Sequence, residues 1–195
     1  MSAASSRLMR LVDDILEMYR IESPHFQIEV QPTDAATTLA QAIDSFGPAK
    51  ARIQLDLPDE PVIVLADECR HEQVILNLLS NAFKYSAVDT PIVVSLRADG
   101  DDARIDVVDQ GQGIPPEHID LLFRKFSQLP SRTDQPLRGS GLGLYICRSI
   151  LEAQSGRIEV QSVPGMGSTF SYYLPRSDGS SPTADMPAVR PNTNA

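Results

Sequence analysis

A chain of 195 residues has room for one ordinary domain with flanking segments, and for a core of useful size. Its 42% apolar and 22% charged residues give the balance of a soluble globular protein, and no apolar run approaches the ~20 residues of a membrane span. A formal net charge of -9 excludes general attraction to a nucleic-acid backbone or an anionic membrane surface, while 17 Lys and Arg still allow a local pocket for one small anion. Cys69 and Cys147 lie far apart in apolar-patterned helical stretches, with neither pairing nor metal spacing, which predicts reduced, buried thiols in a cytoplasmic protein.

Residues 7–23 read as a helix with a narrow apolar stripe: Leu8, Leu11, Val12, Ile15, Leu16 and Tyr19. That spacing belongs to a seam that packs against another helix. Ser23-Pro24 ends it, because proline disfavours a helical residue before it. A strand is predicted over 26–30, then a helix from about Thr33-Asp34 with Leu39, Ile43 and Phe46 on one face, stopped by Gly47-Pro48. Ile53, Leu55 and Leu57 alternate with polar residues as in a half-buried strand, and a turn at Pro58-Asp59-Glu60 leads to a second strand over 62–65.

The longest central helix covers 68–85. Strands over 92–98 and 104–109 are joined by the hairpin signal Asp99-Gly100-Asp101. Residues 110–140 lose periodicity around a short helix at 117–123; so long an irregular connection is usually functional, often a lid. A helix over 141–155 ends at Gly156, read as its C′ glycine, and strands 157–162 and 169–174 flank a Pro164-Gly165 turn. Beyond residue 175 the chain reads as a disordered tail or linker. This order predicts an α+β fold, a two-layer α/β sandwich whose mixed, mainly antiparallel sheet carries helices on one face.

On the 68–85 helix, Val74, Ile75, Leu78, Leu79, Ala82 and Phe83 cover one broad side, while Gln73, Asn77, Asn81 and Lys84 form a narrow opposite strip. On a generic helix such a strip faces solvent. Asn has only moderate helix propensity, however, so two at i and i+4 need a reason. A carboxamide oxygen suits Mg²⁺, and a lysine suits phosphate. Asp109-Gln110-Gly111-Gln112-Gly113-Ile114 follows a strand directly; its Asp can accept from an amino group, and its glycines let backbone approach closely. Arg138-Gly139-Ser140-Gly141-Leu142-Gly143-Leu144 is a glycine-rich loop running into a helix, whose free N–H groups and dipole form an anion site. Neither a Walker A loop nor a dinucleotide fingerprint in its strand–loop–helix context is present.

Taken together, these segments resemble the sensor histidine kinases. Residues 77–85 look like their N box, Asp109-x-Gly111-x-Gly113-Ile114 their first glycine box, and Phe123-Arg124-Lys125-Phe126 their F box. Residues 139–144 look like the second glycine box and Gly165-x-Gly167-Ser168-Thr169-Phe170 the last, all in the family's order. The resemblance implies a Bergerat-type fold of the GHKL superfamily binding ATP with Mg²⁺. It divides the chain into 1–23, the end of a dimerisation-hairpin helix, 24–175, an ATP-binding domain with its lid at 110–140, and 176–195, a tail. By the same resemblance Asn81 is the main Mg²⁺ ligand with Asn77 beside it, Lys84 contacts phosphate, and Tyr85 lies against adenine. Asp109 binds the adenine amino group, with Gly111, Gly113 and Ile114 shaping that wall. Gly139, Ser140, Gly141, Leu142, Gly143 and Leu144 hold the phosphates, Thr169 lies near the adenine, and Arg132 or Arg138 of the lid reaches the γ-phosphate.

Asn77 stands where the ATPase relatives carry a general-base glutamate; a carboxamide takes no proton at neutral pH, which favours transfer over hydrolysis. The catalytic set is thus Asn77, Lys84 and Arg138, acting on an external histidine. The family's acceptor motif is absent: His25 has no acidic neighbour, His71 is read as a surface or helix-start residue, and His118 as solvent-facing. The expected partners are therefore the dimerisation and phosphoacceptor domain of a homodimeric parent kinase and, through it, a response regulator, with no nucleic acid and no membrane insertion by this segment. The rival readings are a serine kinase of the anti-sigma type and a nucleotide-binding regulatory module without kinase activity.

Overall fold

Two aspartates set the frame. Asp34 accepts from the backbone N–H of Ala36 at 3.0 Å and Asp67 from that of Arg70 at 3.1 Å, each satisfying an otherwise orphaned donor at a helix start. In this computed structural model the described residues are 3–24, 26–128 and 140–177. The helices are α1 (Ala3–Glu22), α2 (Ala35–Asp44), α3 (Glu68–Tyr85), the single turn α4 (Pro116–Ile119) and α5 (Gly143–Ala153), with a 3₁₀ turn at Gly47–Arg52. The strands are β1 (Gln31–Asp34), β2 (Ile53–Asp56), β3 (Ile63–Ala66), β4 (Ile92–Asp99), β5 (Asp102–Asp109), β6 (Arg157–Val163) and β7 (Gly167–Pro175).

The main sheet runs β2-β4-β5-β7-β6, parallel only between β2 and β4; β1 and β3 form a separate antiparallel pair. The alternation of β4 and β5 places Ile92, Val94, Leu96, Ala103, Ile105 and Val107 on one buried face. Against that face pack α2, α3 and α5 through Leu39, Ile75, Leu78, Leu79, Ile146 and Ile150, all essentially inaccessible to solvent apart from the shared core. The opposite face is polar, with Arg104 bonded to Asp106 and Arg157 over the Tyr173 ring at 3.7 Å. The one-face sandwich expected from the sequence is the observed architecture. Among the described residues, no helix is long and apolar enough to cross a membrane.

Several local expectations are corrected. Residues 26–30 form no strand; the strand begins at Gln31, where β3 supplies its partner. The left-handed residue after α5 is Ser155 (φ 60°), whereas Gly156 is required because a Cβ there would lie 2.3 Å from the Tyr173 carbonyl oxygen. The stripe of α1 is largely exposed, with Leu8, Leu16 and Tyr19 more than half accessible. It is the opposite face that docks: Met18 is buried, Glu17 pairs with Arg70 of α3, and Glu22 pairs with Lys125 and accepts from the Tyr145 hydroxyl at 2.7 Å. Cys69 is exposed, and only Cys147 is buried. The short helix ends at Ile119 rather than at 123, and turns carry the chain to Gln128.

Candidate functional site

The polar strip of α3 divides between two tasks. Gln73, its first member, accepts from Arg70 at 2.8 Å and so belongs to the docking of α1. Asn77 and Asn81 are half-buried, and Lys84 and Tyr85 are exposed at the helix end. From Asn77 to Tyr85 the strip spans eight residue steps, ~12 Å at the rise of an α-helix. Each end meets a different glycine-rich segment.

At the C-terminal end the meeting is tight. Ser86 and Gly111 form a backbone bridge, and a Cβ on Gly111 would lie 2.5 Å from the Tyr85 carbonyl oxygen. Asp109, the last residue of β5, is 5% exposed; its Oδ1 accepts from the Gly111 N–H at 2.7 Å, and the Ser168 N–H also bonds it. Burial pushes its carboxyl above the usual range, and those two donors oppose the rise. Gly113 (φ 66°) and Gly167 (φ 99°) admit no side chain, because a Cβ on either would lie 2.0 Å from a backbone oxygen, that of Val163 and that of Asp109 respectively. Ser162 locks the first and last glycine boxes together: its Oγ accepts from the Ile114 N–H at 2.8 Å and donates to the Gly167 carbonyl at 2.8 Å. Thr169 is half-buried on β7 opposite Val108, one residue along from the Asp109–Ser168 pair.

The N-terminal end of the strip faces the start of α5. A Cβ on Gly143 would lie 3.5 Å from Asn77 Oδ1, so the helix opens beside that carboxamide. Its N-cap, Leu142, has no capping side chain, although Ser140 Oγ accepts from the Leu142 N–H at 3.1 Å. The first N–H groups of α5 therefore point out uncapped, with the positive end of the helix dipole behind them. Cys147, one turn further along α5, is fully buried with its Sγ donating to the Val74 carbonyl at 3.9 Å, and burial pushes its thiol up to about 12. Gly141 (φ 74°) packs on residues 126–127, which joins the second glycine box to the end of the F box.

Asn81 has no side-chain partner among the described residues, and these contain no group of three His, Cys, Asp or Glu that could hold a metal. The donor set that remains, carboxamides beside an uncapped helix N-terminus, fits a hard cation bound jointly with ligand phosphates rather than in an all-protein cage. Lys84 donates to its neighbour's hydroxyl, Tyr85 Oη, at 2.6 Å, with its ammonium 4.4 Å from that ring. Arg132, Arg138 and Gly139 lie outside the described residues, as does His25.

The histidines need correction. His71 is fully buried, not a surface residue; its Nε2 lies 2.9 Å from the Tyr172 hydroxyl, and its Nδ1 has no partner among the described residues. Desolvation pulls its pKa to about 4. His118 is half-buried rather than solvent-facing. Sequence reading also missed Ser162, Ser168 and Ser86, because a serine in a strand or after a helix carries no local sign of the distant backbone it will bond.

Residues 66–178 match the family described as histidine kinase-, DNA gyrase B- and HSP90-like ATPase. The chain is 38% identical over 180 residues to the sensor histidine kinase RcsC of Escherichia coli K12, covering 90% of this chain and 19% of RcsC. It thus spans about a fifth of that relative. Among solved structures, full-length ShkA in complex with AMPPNP superposes with a TM-score of 0.73 at 29% identity, over 87% of this chain and 36% of ShkA. The mycobacterial sensor histidine kinase MprB superposes with a TM-score of 0.64 at 26% identity, over 76% of this chain and 98% of that one.

Proposed function

Because the chain belongs to the family of histidine kinase-, DNA gyrase B- and HSP90-like ATPases, we propose that it binds Mg-ATP and donates the γ-phosphoryl group to a histidine in the dimerisation domain of a sensor kinase. The observation that carries this reading is the two-ended strip of α3, with a buried carboxylate in a glycine-built wall at one end and an uncapped helix N-terminus at the other. Asp109 accepts from Gly111 and Ser168, and a remaining lone pair of that carboxylate would accept from an adenine amino group beside Gly111 and Gly113. The N–H groups from Gly141 to Leu144 would hold the phosphates, with Asn81 and Asn77 the metal-facing carboxamides. The chemistry that Mg²⁺ supplies when bound is neutralisation of charge on the phosphate oxygens.

Lys84 leaves Tyr85 to reach phosphate, a rotamer change at an exposed site. Asn77, a half-buried carboxamide, offers no base to a water molecule, so the pocket is suited to transfer. The histidine nitrogen attacks the γ-phosphorus in line, forming a P–N bond as the bond to the β-bridging oxygen breaks and ADP leaves. Among this chain's histidines, His71 is enclosed in the core and serves Tyr172, which supports an acceptor elsewhere. The exposed stripe of α1 and the sensor-kinase relatives favour the histidine branch over the serine-kinase and non-catalytic readings.

Titrating ATP into the wild-type chain and into Asn81→Ala and Asp109→Ala tests the site. Both variants are expected to lose at least about tenfold in affinity, the scale of a charge-assisted hydrogen bond or metal contact; equal binding by all three overturns the assignment. Incubated alone with ATP the chain is expected to gain no acid-labile, base-stable phosphate, and to support transfer to a dimerisation hairpin added in trans. Persistent phosphate on the isolated chain contradicts the external acceptor.

A further inference from the structure

Arg52 ends the 3₁₀ turn before β2, far in sequence from every glycine box, and its guanidinium reaches the loop that follows α3. Nε donates to the Thr90 carbonyl at 3.0 Å, and Nη2 donates both to Ser86 Oγ at 2.9 Å and to the Ala87 carbonyl at 2.5 Å. The same group lies 5.1 Å over the Phe83 ring, which stacks on Phe46 at 5.0 Å. A planar fork with fixed donors suits this task; a lysine presents a single point charge without that fork.

Ser86, the residue so gripped, connects in two directions. Its Oγ donates to the Ala82 carbonyl at 2.6 Å, and its N–H bonds the same carbonyl at 3.1 Å, which closes the last turn of α3. Its backbone bridges to Gly111, whose N–H holds Asp109 Oδ1. A positive group at the end of α3 also complements the helix dipole. We propose that Arg52 is a positioning residue for base recognition: it fixes Ser86, and through the Ser86–Gly111 bridge it fixes the orientation of the Asp109 carboxylate.

This rests on the reading of the pocket as an ATP site with the base at Asp109, and its predicted signature is loss of base selectivity. The hydrogen bonds of Arg52 go to Ser86, Ala87 and Thr90 and to none of the residues assigned to the base or phosphates, so loosening Gly111 weakens ATP more than GTP, whereas a general loss of folded protein weakens both equally. The experiment measures ATP and GTP affinities, with Mg²⁺, for wild type, Arg52→Lys and Ser86→Ala, together with backbone amide exchange. Arg52→Lys keeps the charge and loses the fork; Ser86→Ala removes one acceptor and serves if the arginine variant folds poorly. Both are expected to lower the ATP-to-GTP affinity ratio by about fivefold or more, the effect of losing a hydrogen bond to a charged group. Exchange is expected to quicken at residues 86–90 and 111–113 and to stay unchanged in β4. Variants that keep the wild-type ratio, or that quicken exchange uniformly, overturn the proposal. A wild type that binds no ATP, or that binds ATP and GTP equally, overturns instead the reading of the site on which it rests.

Discussion

The two ends of the α3 strip are built on opposite principles. The end at Asp109 is closed: Gly111, Gly113 and Gly167 bring three backbone segments to distances that no side chain tolerates, and Ser162 and Ser86 bond them together. The end at Gly143 is open: Gly143 has ordinary clearance from Asn77, α5 lacks a capping side chain, and Asn81 has no side-chain partner among the described residues. A rigid wall suits a flat base that must be discriminated. Unspent donors suit a charged, flexible group that brings its own cation. On the proposed reading of the site, pre-organisation is concentrated where selectivity is needed.

The sharpest way to break the comparison is to add one methyl group at each end. Gly113→Ala or Gly167→Ala forces a Cβ into backbone at positive φ and is expected to cost about 3 kcal/mol or more in stability, read as a fall in the denaturant midpoint. Gly143→Ala is expected to change stability by less than about 1 kcal/mol, since its Cβ meets only ordinary contact. Equal costs at both ends would erase the distinction.

Outside the strip, near the start of α3, the buried His71–Tyr172 pair ties stability to pH. With its folded pKa near 4 and an unfolded value of about 6.5, His71 takes up a proton in the unfolded chain across a window where the folded chain refuses it. Stability contributed by neutral His71 is therefore full above about pH 6.5, falls as pH is lowered, and is lost by about pH 4, a total near 3 kcal/mol. Chemical denaturation at a series of pH values checks this, and a His71→Phe variant is expected to lack that window.

A smaller effect separates geometry from charge at the closed end. Asp109→Asn keeps an oxygen for the Gly111 N–H but presents an amide where the second carboxylate oxygen was, so ATP affinity is expected to fall about tenfold with little change in unfolding midpoint. The smallest effect lies outside both ends. Glu22→Gln removes the exposed pairing with Lys125 and is expected to cost no more than about 1 kcal/mol, measured as the unfolding midpoint.

Much of this was legible in the sequence where the signal is local. The 68–85 helix announces itself by its apolar period, and its polar strip singles out Asn77 and Asn81. Asp109 and its glycines are read from a strand running into a turn that needs close backbone approach. What stayed hidden depends on partners far along the chain. His71 looks like a helix-start surface residue until Tyr172, 101 positions away, encloses it. The strand at 31–34 was misplaced because its edges are set by pairing with β3, not by its own pattern. Arg52 reads as one more charge before a strand, and only the fold brings it to Ser86. The α1 stripe was legible as an apolar face and stands exposed, yet which face of α1 meets the domain follows from Met18 and Glu17, outside the stripe.

The most direct test of a two-ended site is to titrate adenosine and ATP, with and without Mg²⁺, into Asp109→Ala and Asn81→Ala. The account predicts that Asp109→Ala weakens adenosine and ATP by the same factor, whereas Asn81→Ala weakens ATP only, and only when Mg²⁺ is present. Loss of adenosine binding in Asn81→Ala, or unchanged adenosine binding in Asp109→Ala, would contradict it.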